Sequence, residues 1–518
     1  MTIGYAALER EKKKNMYEIM SADEAIRLIR DGDCICVNSF VGIENPTELH
    51  EALYRRYQKM QSPTHLTIIS SSGFGVWDEE HNAEGYIREG AVDKLICGHF
   101  GAMMSTKKLV LEDRFEAYNL PLGCISHAIR AQAGGLPGAL SKVGLDIFVD
   151  PRKEGPGINR ISTDNTLVKP VEVDGEEFLY YKLPKITVAL LKGTTADRKG
   201  NITFDDMFMS GDALSICQAV KANRGKVIVQ VDRLVDASFR PRNVIIPGCL
   251  VDAIVVSEEE ERNEAYTALA GCLESPYKEW HTWNEKVNAL DKKPRQNNVP
   301  ANIIGRRAAQ ELRIDDIVNI GIGIPETVSR YAKKRGILDT ITLTVESGGI
   351  GGFPVSGKAF GVMIGAASVC DMANQFDLYD NGALDICFMG GLEADMHGNI
   401  NAHRGTGAFA GIGGFANITA NTPTVVFCMT FSAVGLEVTQ EKGVVTIRKE
   451  GSVPKFVKKV ASISFSAKRA LENGQKVLYV TERCVFQLTP KGLKLIEVYP
   501  GVDMQKDVFD KLPFEVED

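Results

Sequence analysis

The sequence predicts an α/β protein made of two related open sheets in tandem, each mainly parallel. Three observations carry this expectation. Units of amphipathic helix, apolar strand and glycine turn recur along the chain. The strands are continuously apolar rather than alternating, as strands covered on both faces are. Segments of the first half also return in the same order in the second.

The first unit sets the pattern. Ser21-Ala-Asp-Glu24 is a capping box, in which a hydroxyl and a carboxylate three residues apart satisfy each other's free backbone donors. Ala25, Ile26 and Ile29 mark an apolar helix face, Gly32 a turn, and Cys34-Ile-Cys-Val37 a strand. Asn45-Pro46-Thr47-Glu48 opens the next helix, with Asn read as its N-cap and Pro at its first position; Leu49, Ala52, Leu53 and Tyr57 share one face. Further strands are read at Thr67-Ile-Ile69, Ile147-Phe-Val149, Ile186 to Leu191 and Val227 to Val231. The uncharged stretch from Gly405 to Leu436 is interrupted by glycines, asparagines and Pro423, and reads as loop plus strand rather than as a membrane span.

Three pairs of segments define the repeat. Val37-Asn-Ser-Phe-Val-Gly42 matches Val318-Asn-Ile-Gly-Ile-Gly323, Leu66 to Gly73 matches Ile341 to Gly348, and Ala196-Asp-Arg-Lys-Gly-Asn-Ile202 matches Ala394-Asp-Met-His-Gly-Asn-Ile400. The expected division is a flexible leader over 1–20, a first domain over 21–285, a linker over 286–300 within the polar stretch Tyr277 to Pro300, and a second domain over 301–518.

Composition excludes several classes. Sixty Lys and Arg against 67 Asp and Glu leave a net charge of -7 with no extended basic block, which argues against nucleic acid. The 11 cysteines include no CxxC and the 8 histidines no HExxH, so no metal site is expected and the thiols read as buried and reduced in a cytoplasmic protein. Residues 1–15 lack the apolar core of a secretory signal.

The repeat is asymmetric at one position: where the first half has Ser71, the second has Glu346, between the strand Ile341 to Val345 and the run Ser347-Gly-Gly-Ile-Gly-Gly352. Ligand crevices in doubly wound sheets open at the carboxyl ends of strands, which places Glu346 at a crevice mouth, with glycines expected to leave it accessible. The alternative is an ordinary glycine turn in which the Glu faces solvent. Gly321-Ile322-Gly323-Ile324-Pro325 lies between a strand and a Pro-started helix, an arrangement that presents backbone N–H groups to an anion; a tight turn is again the alternative. The cluster containing Gly413 and Gly414 is a candidate source of oxyanion donors. Asp395-Met-His-Gly-Asn399, echoed as Asp197-Arg-Lys-Gly-Asn201, reads as a structural turn in both halves. No GxSxG and no plausible Ser, His and acid order is present, so an enzyme of this sequence is expected to use a carboxylate nucleophile.

Taken together, Val345 to Gly352, Gly321 to Pro325, Ala394 to Asn399, Gly413-Gly-Phe415 and Thr481-Glu-Arg-Cys-Val-Phe486 resemble the class I coenzyme A transferases of the acetate/propionate type, with both family halves in one chain. Cys97-Gly-His-Phe-Gly101 and Phe148-Val-Asp-Pro-Arg152 extend the resemblance into the first half. The resemblance implies the NagB/RpiA/CoA transferase-like fold and Glu346 as the residue that becomes a glutamyl-CoA thioester. It further implies a CoA-contacting loop at Gly321, Ile322, Gly323, Ile324 and Pro325, and a loop at Gly413 and Gly414 lining the thioester. It also implies acyl-CoA and short-chain carboxylates as substrates, no permanently bound cofactor, and a homo-oligomer. Relatives commonly carry Pro-Gln-Gly where this chain has Pro121-Leu122-Gly123, and a Leu side chain donates no hydrogen bond.

The expected chemistry is reversible CoA transfer. A Glu with an ordinary pKa near about 4.3 is ionised at neutral pH and needs no activating base. An acyl-CoA thioesterase using the same Glu is the nearest alternative. A metabolite-sensing α/β module is the non-enzymatic one, although no helix-turn-helix or basic patch accompanies the sheets.

Overall fold

Strands rich in Val and Ile with no polar alternation offer no face to water, and here they fill the middles of two large sheets. The computed structural model describes residues 17–75, 84–257, 298–405 and 408–517. In the first sheet the strands Leu66–Ser70, Cys34–Val37, Val188–Asp197, Lys226–Val235 and Ala253–Val256 lie side by side in that order, all parallel. In the second, Thr342–Thr344, Ile317–Ile320, Ile386–Met389, Thr424–Cys428 and Lys476–Val480 repeat the same order, again parallel. The tandem repeat read from three short matches is thus a repeat of topology. Every residue of Val188–Asp197 and of Ile386–Met389 is buried.

The repeated Asp/Gly/Asn motif is a structural turn in both copies. Asp197 Oδ1 accepts from the backbone N–H of Lys199 and Asn201, and Asp395 Oδ1 accepts from those of His397 and Asn399. The second carboxylate oxygen accepts from the Asn side chain each time.

Four local expectations are corrected. Glu18–Met20, assigned to a flexible leader, forms an edge strand parallel to Ala253–Val256. The helix read as capped by Asn45 runs Thr47–Met60 with Pro46 as its cap. Left-handed residues at Val41 and Glu44 turn the chain in one position late, and the Asn45 side chain is buried without a hydrogen-bond partner among the described residues. Ile147 to Val149 is a turn rather than a strand: it is apolar because it is buried at a contact, where the Phe148 N–H donates to Ile463 O at 2.8 Å. The stretch from Gly405 to Leu436 contains a short helix, Phe415–Ala420, before its strand. Of the expected linker only 298–300 are described; there Asn298 caps the helix Val299–Ala308 by accepting from the Ala301 N–H.

The halves meet along a seam of backbone hydrogen bonds. The Gly413 N–H donates to Gly98 O (2.8 Å), the Leu122 N–H to Gly413 O (2.9 Å), and the Phe100 N–H to Ala410 O (2.7 Å). Asn119 Oδ1 accepts from the Ile412 N–H, and Asn417 Oδ1 from the Gly123 N–H. Beside the seam, the first half's counterpart of Glu346 is closed by its own side chains. Ser71 and Ser126 hydroxyls donate to the two oxygens of the buried Asp212 carboxylate, and Asn38 Oδ1 accepts from the Asp212 N–H.

A Cβ added at Gly123 would stand 2.5 Å from both Asn417 Nδ2 and Phe376 Cδ1 across this seam. Gly123→Ala is therefore expected to destabilise the protein by about 1–3 kcal/mol despite the better helix propensity of Ala. Thermal unfolding measures this, and a melting temperature at or above the parent's would contradict it.

Candidate active site

Glu346 follows the strand Thr342–Thr344 through a turn that the sequence of glycines makes possible. The Val345 N–H donates to Gly349 O at 2.9 Å and the Gly348 N–H to Val345 O at 3.1 Å. Gly348 has φ +117, and a Cβ there would lie 2.0 Å from Cys370 O; one at Gly349 would lie 2.8 Å from Phe208 Cζ. These glycines allow neighbouring chain to pack close behind the turn. They do not clear a ligand path to Glu346, as the sequence led us to expect.

The path to Glu346 is cleared by other glycines. Its side chain is partly exposed to a cavity of about 330 Å³ between the halves. Gly321, Ile322, Ile324 and Pro325 form one wall, and Gly411 to Gly414 another. Val41, Ser72, His99 and Leu122 reach it from the first half. Gly323 is absent from the wall and supplies the bend of its loop at φ +91. The Gly414 N–H donates to Glu346 Oε2 at 3.2 Å, and a Cβ on Gly414 would lie 2.6 Å from the Glu346 Cδ.

Three expectations about the site change with this geometry. Burial pushes the Glu346 carboxyl up to about 7, opposed by the Gly414 hydrogen bond, so it does not have the ordinary carboxylate value. Low-dielectric surroundings penalise the charged form more than one backbone donor repays it. The Gly413 N–H is not a free oxyanion donor, because Gly98 O holds it. The Gly321 N–H is likewise held by Phe388 O at 2.8 Å.

Two lining residues were not singled out by the sequence reading. Lys455 lines the cavity, where burial pulls its ammonium down to about 8 against the opposing pull of Glu482. His99 was noted only within its motif. His397 lies on an exposed turn and does not line the cavity. Among the described residues no group of three or more His, Cys, Asp or Glu is placed to hold a metal ion, and no helix is long and apolar enough to cross a membrane.

The family model "Coenzyme A transferase" matches residues 19–257. Acetate CoA-transferase YdiF of Escherichia coli K12 is 38% identical over 501 residues, 96% of this chain and 92% of that protein. Caffeate CoA-transferase of Acetobacterium woodii is 38% identical over 514 residues, 96% of this chain and 94% of that one. The crystal structure of the apoenzyme of acyl-CoA transferase YdiF from Escherichia coli O157:H7 superposes with a TM-score of 0.87 at 36% identity, covering 97% of this chain and 93% of that one. The chain belongs to the coenzyme A transferase family and is a CoA-transferase.

The raised carboxyl has a consequence for stability. In the unfolded chain a Glu titrates near its ordinary value of 4.5, and folded Glu346 at about 7. Between these values the folded state binds more protons, so its contribution to stability is lost as pH rises from about 4.5 to about 7. Glu346→Gln removes that titration. The variant is expected to match the parent at pH 4 and exceed it at pH 8 by on the order of 1 kcal/mol or more. Denaturant unfolding at both pH values checks this, and a gap that does not widen with pH would contradict it.

Proposed function

We propose that the chain transfers coenzyme A between short-chain acyl-CoAs and carboxylates, acetate among them, through a glutamyl-CoA thioester at Glu346. The observation that carries this reading is the Glu346 carboxylate, held by the Gly414 N–H and facing the cavity between the halves. One relative supports it by name: YdiF is an acetate CoA-transferase, and a crystal structure of YdiF from Escherichia coli O157:H7 bears the description of a thioester complex with CoA. The latter superposes with a TM-score of 0.87.

In the proposed reaction a Glu346 oxygen attacks the thioester carbonyl of the donor, expelling CoA thiolate and leaving an acyl-glutamyl anhydride. The thiolate then attacks Glu346 Cδ and expels the donor's carboxylate, giving the glutamyl-CoA thioester. An incoming carboxylate attacks that thioester and releases CoA thiolate, which attacks the new acyl carbonyl and frees Glu346. The acyl group stays activated throughout, so the reaction needs no ATP. The under-solvated carboxylate is a better nucleophile than one in water, and a cavity walled by Ile322, Leu122, Met389 and Phe415 keeps water from hydrolysing either intermediate. The Gly321 to Pro325 loop is proposed to contact CoA. The Gly414 N–H would remain on the Glu346 carbonyl oxygen as it passes through its tetrahedral states. Acyl-CoA and carboxylates are the partners of this reading, with a homo-oligomer as the proposed assembly.

Initial rates with propionyl-CoA and acetate are expected to give parallel double-reciprocal lines, the pattern of a covalent double displacement. Intersecting lines would require a ternary complex instead. The donor's kcat/KM should rise with pH through about 7, because only ionised Glu346 attacks. Glu346→Ala should abolish transfer, and Glu346→Asp, a methylene shorter, should lose on the order of 10²-fold. Substantial transfer by the Ala variant would place the nucleophile elsewhere.

A further inference from the structure

A tetrahedral centre forms twice in each half-reaction, once on the Glu346 carbonyl and once on the acyl carbonyl. The Gly414 N–H already serves the first. Five backbone donors close to it are engaged. The N–H of Ile412 is held by Asn119, that of Gly413 by Gly98, that of Phe415 by Ile412, that of Leu122 by Gly413, and that of Gly123 by Asn417. With these taken, a side chain at the cavity is a ready source of a donor for the acyl carbonyl.

Three lining side chains carry strong donors: Ser72, His99 and Lys455. The Ser72 hydroxyl is buried away from the cavity with no partner among the described residues. Lys455, pulled down to about 8 by burial, is a weakened cation that lies in the field of Glu482. His99 is held by one hydrogen bond and lies beside Gly413. Its Nδ1 accepts from the Gly101 N–H at 3.2 Å, and its Cδ2 edge faces Gly413, where an added Cβ would lie 3.8 Å away. Because Nδ1 is the acceptor, the ring proton of a neutral imidazole sits on Nε2, the nitrogen next to Cδ2. Burial, with a contribution from Lys107, pushes His99 down to about 4, so it is neutral through the physiological range.

We propose that His99 is a further catalytic residue, whose Nε2–H donates to the acyl carbonyl oxygen of the donor, and of the anhydride, as Glu346 attacks. This inference rests on the reading of Glu346 given above. A neutral donor suits this position: an imidazolium would ion-pair with the Glu346 carboxylate and lower its nucleophilicity, whereas an N–H dipole stabilises oxyanion charge as it develops.

The test uses the full chain with propionyl-CoA. Formation of the CoA adduct on Glu346 is followed by intact-protein mass spectrometry in a single turnover, beside steady-state transfer to acetate. His99→Asn keeps an acceptor for the Gly101 N–H and withdraws the reach of Nε2; His99→Gln carries its amide N–H out to about the position of Nε2. The Asn variant is expected to form the adduct about 10²- to 10³-fold more slowly with the melting temperature unchanged. The Gln variant should recover at least about tenfold of that loss. Adduct formation at the parent rate in His99→Asn, or equal slowing in both variants, would overturn the proposal while leaving Glu346 as the nucleophile. If the parent itself forms no adduct, the reading of Glu346 fails and the proposal with it.

Discussion

The site depends on the docking of two backbones. Residues 410–414 of the second half lie against 98–100 and 119–123 of the first, joined by hydrogen bonds between main-chain groups and by Asn119. Contact this close requires residues without side chains: a Cβ on Gly411 would stand 2.7 Å from Gly98 O, and one on Gly123 would stand 2.5 Å from Asn417 Nδ2. The seam fixes where Gly414 points its N–H, and so where the Glu346 carboxylate rests. It also brings His99 and Leu122 into a cavity whose other walls belong to the second half.

The same enclosure explains the electrostatics. Glu346 is pushed up to about 7 and Lys455 pulled down to about 8, each toward its neutral form, by removal from water. Neither has enough compensating hydrogen bonds to restore its ordinary value. A carboxylate in that condition is reactive because it is poorly solvated, and an enclosure that excludes water also protects a thioester. Reactivity of the proposed nucleophile and protection of its product would thus both follow from holding Glu346 between the halves.

Much of this was legible in the sequence. The repeat, Glu346 as its odd residue, and the loops at Gly321 to Pro325 and Gly413-Gly414 are local patterns, and the structure brings Glu346 and the two loops together at one cavity. What was not legible depended on contacts between segments distant in the chain. The pKa of Glu346 is a property of its surroundings, which sequence neighbours do not report. The Gly413 N–H looked free because its acceptor, Gly98, is over 300 residues away. Glycines 348–352 seemed to serve a ligand, but they serve close packing against Cys370, Phe208 and their neighbours. Ile147 to Val149 was apolar enough for a strand, and three residues are too few to separate a pleat from a buried turn.

The two halves share a fold but have diverged in where each keeps its carboxylate. In the second half it stands at the strand end, and the helix side offers only a bare Gly414; in the first half the strand end carries Ser71 and the helix side carries Asp212, already saturated by two hydroxyls. The first copy is therefore closed at the matching position by its own side chains, and it serves the site through the strip at Gly98, Asn119 and Leu122 that seats its neighbour and through the side chains it extends into the shared cavity. Neither half could be replaced by a second copy of the other. Two first halves would present no strand-end carboxylate, and two second halves would have no bed for the loop that orients it.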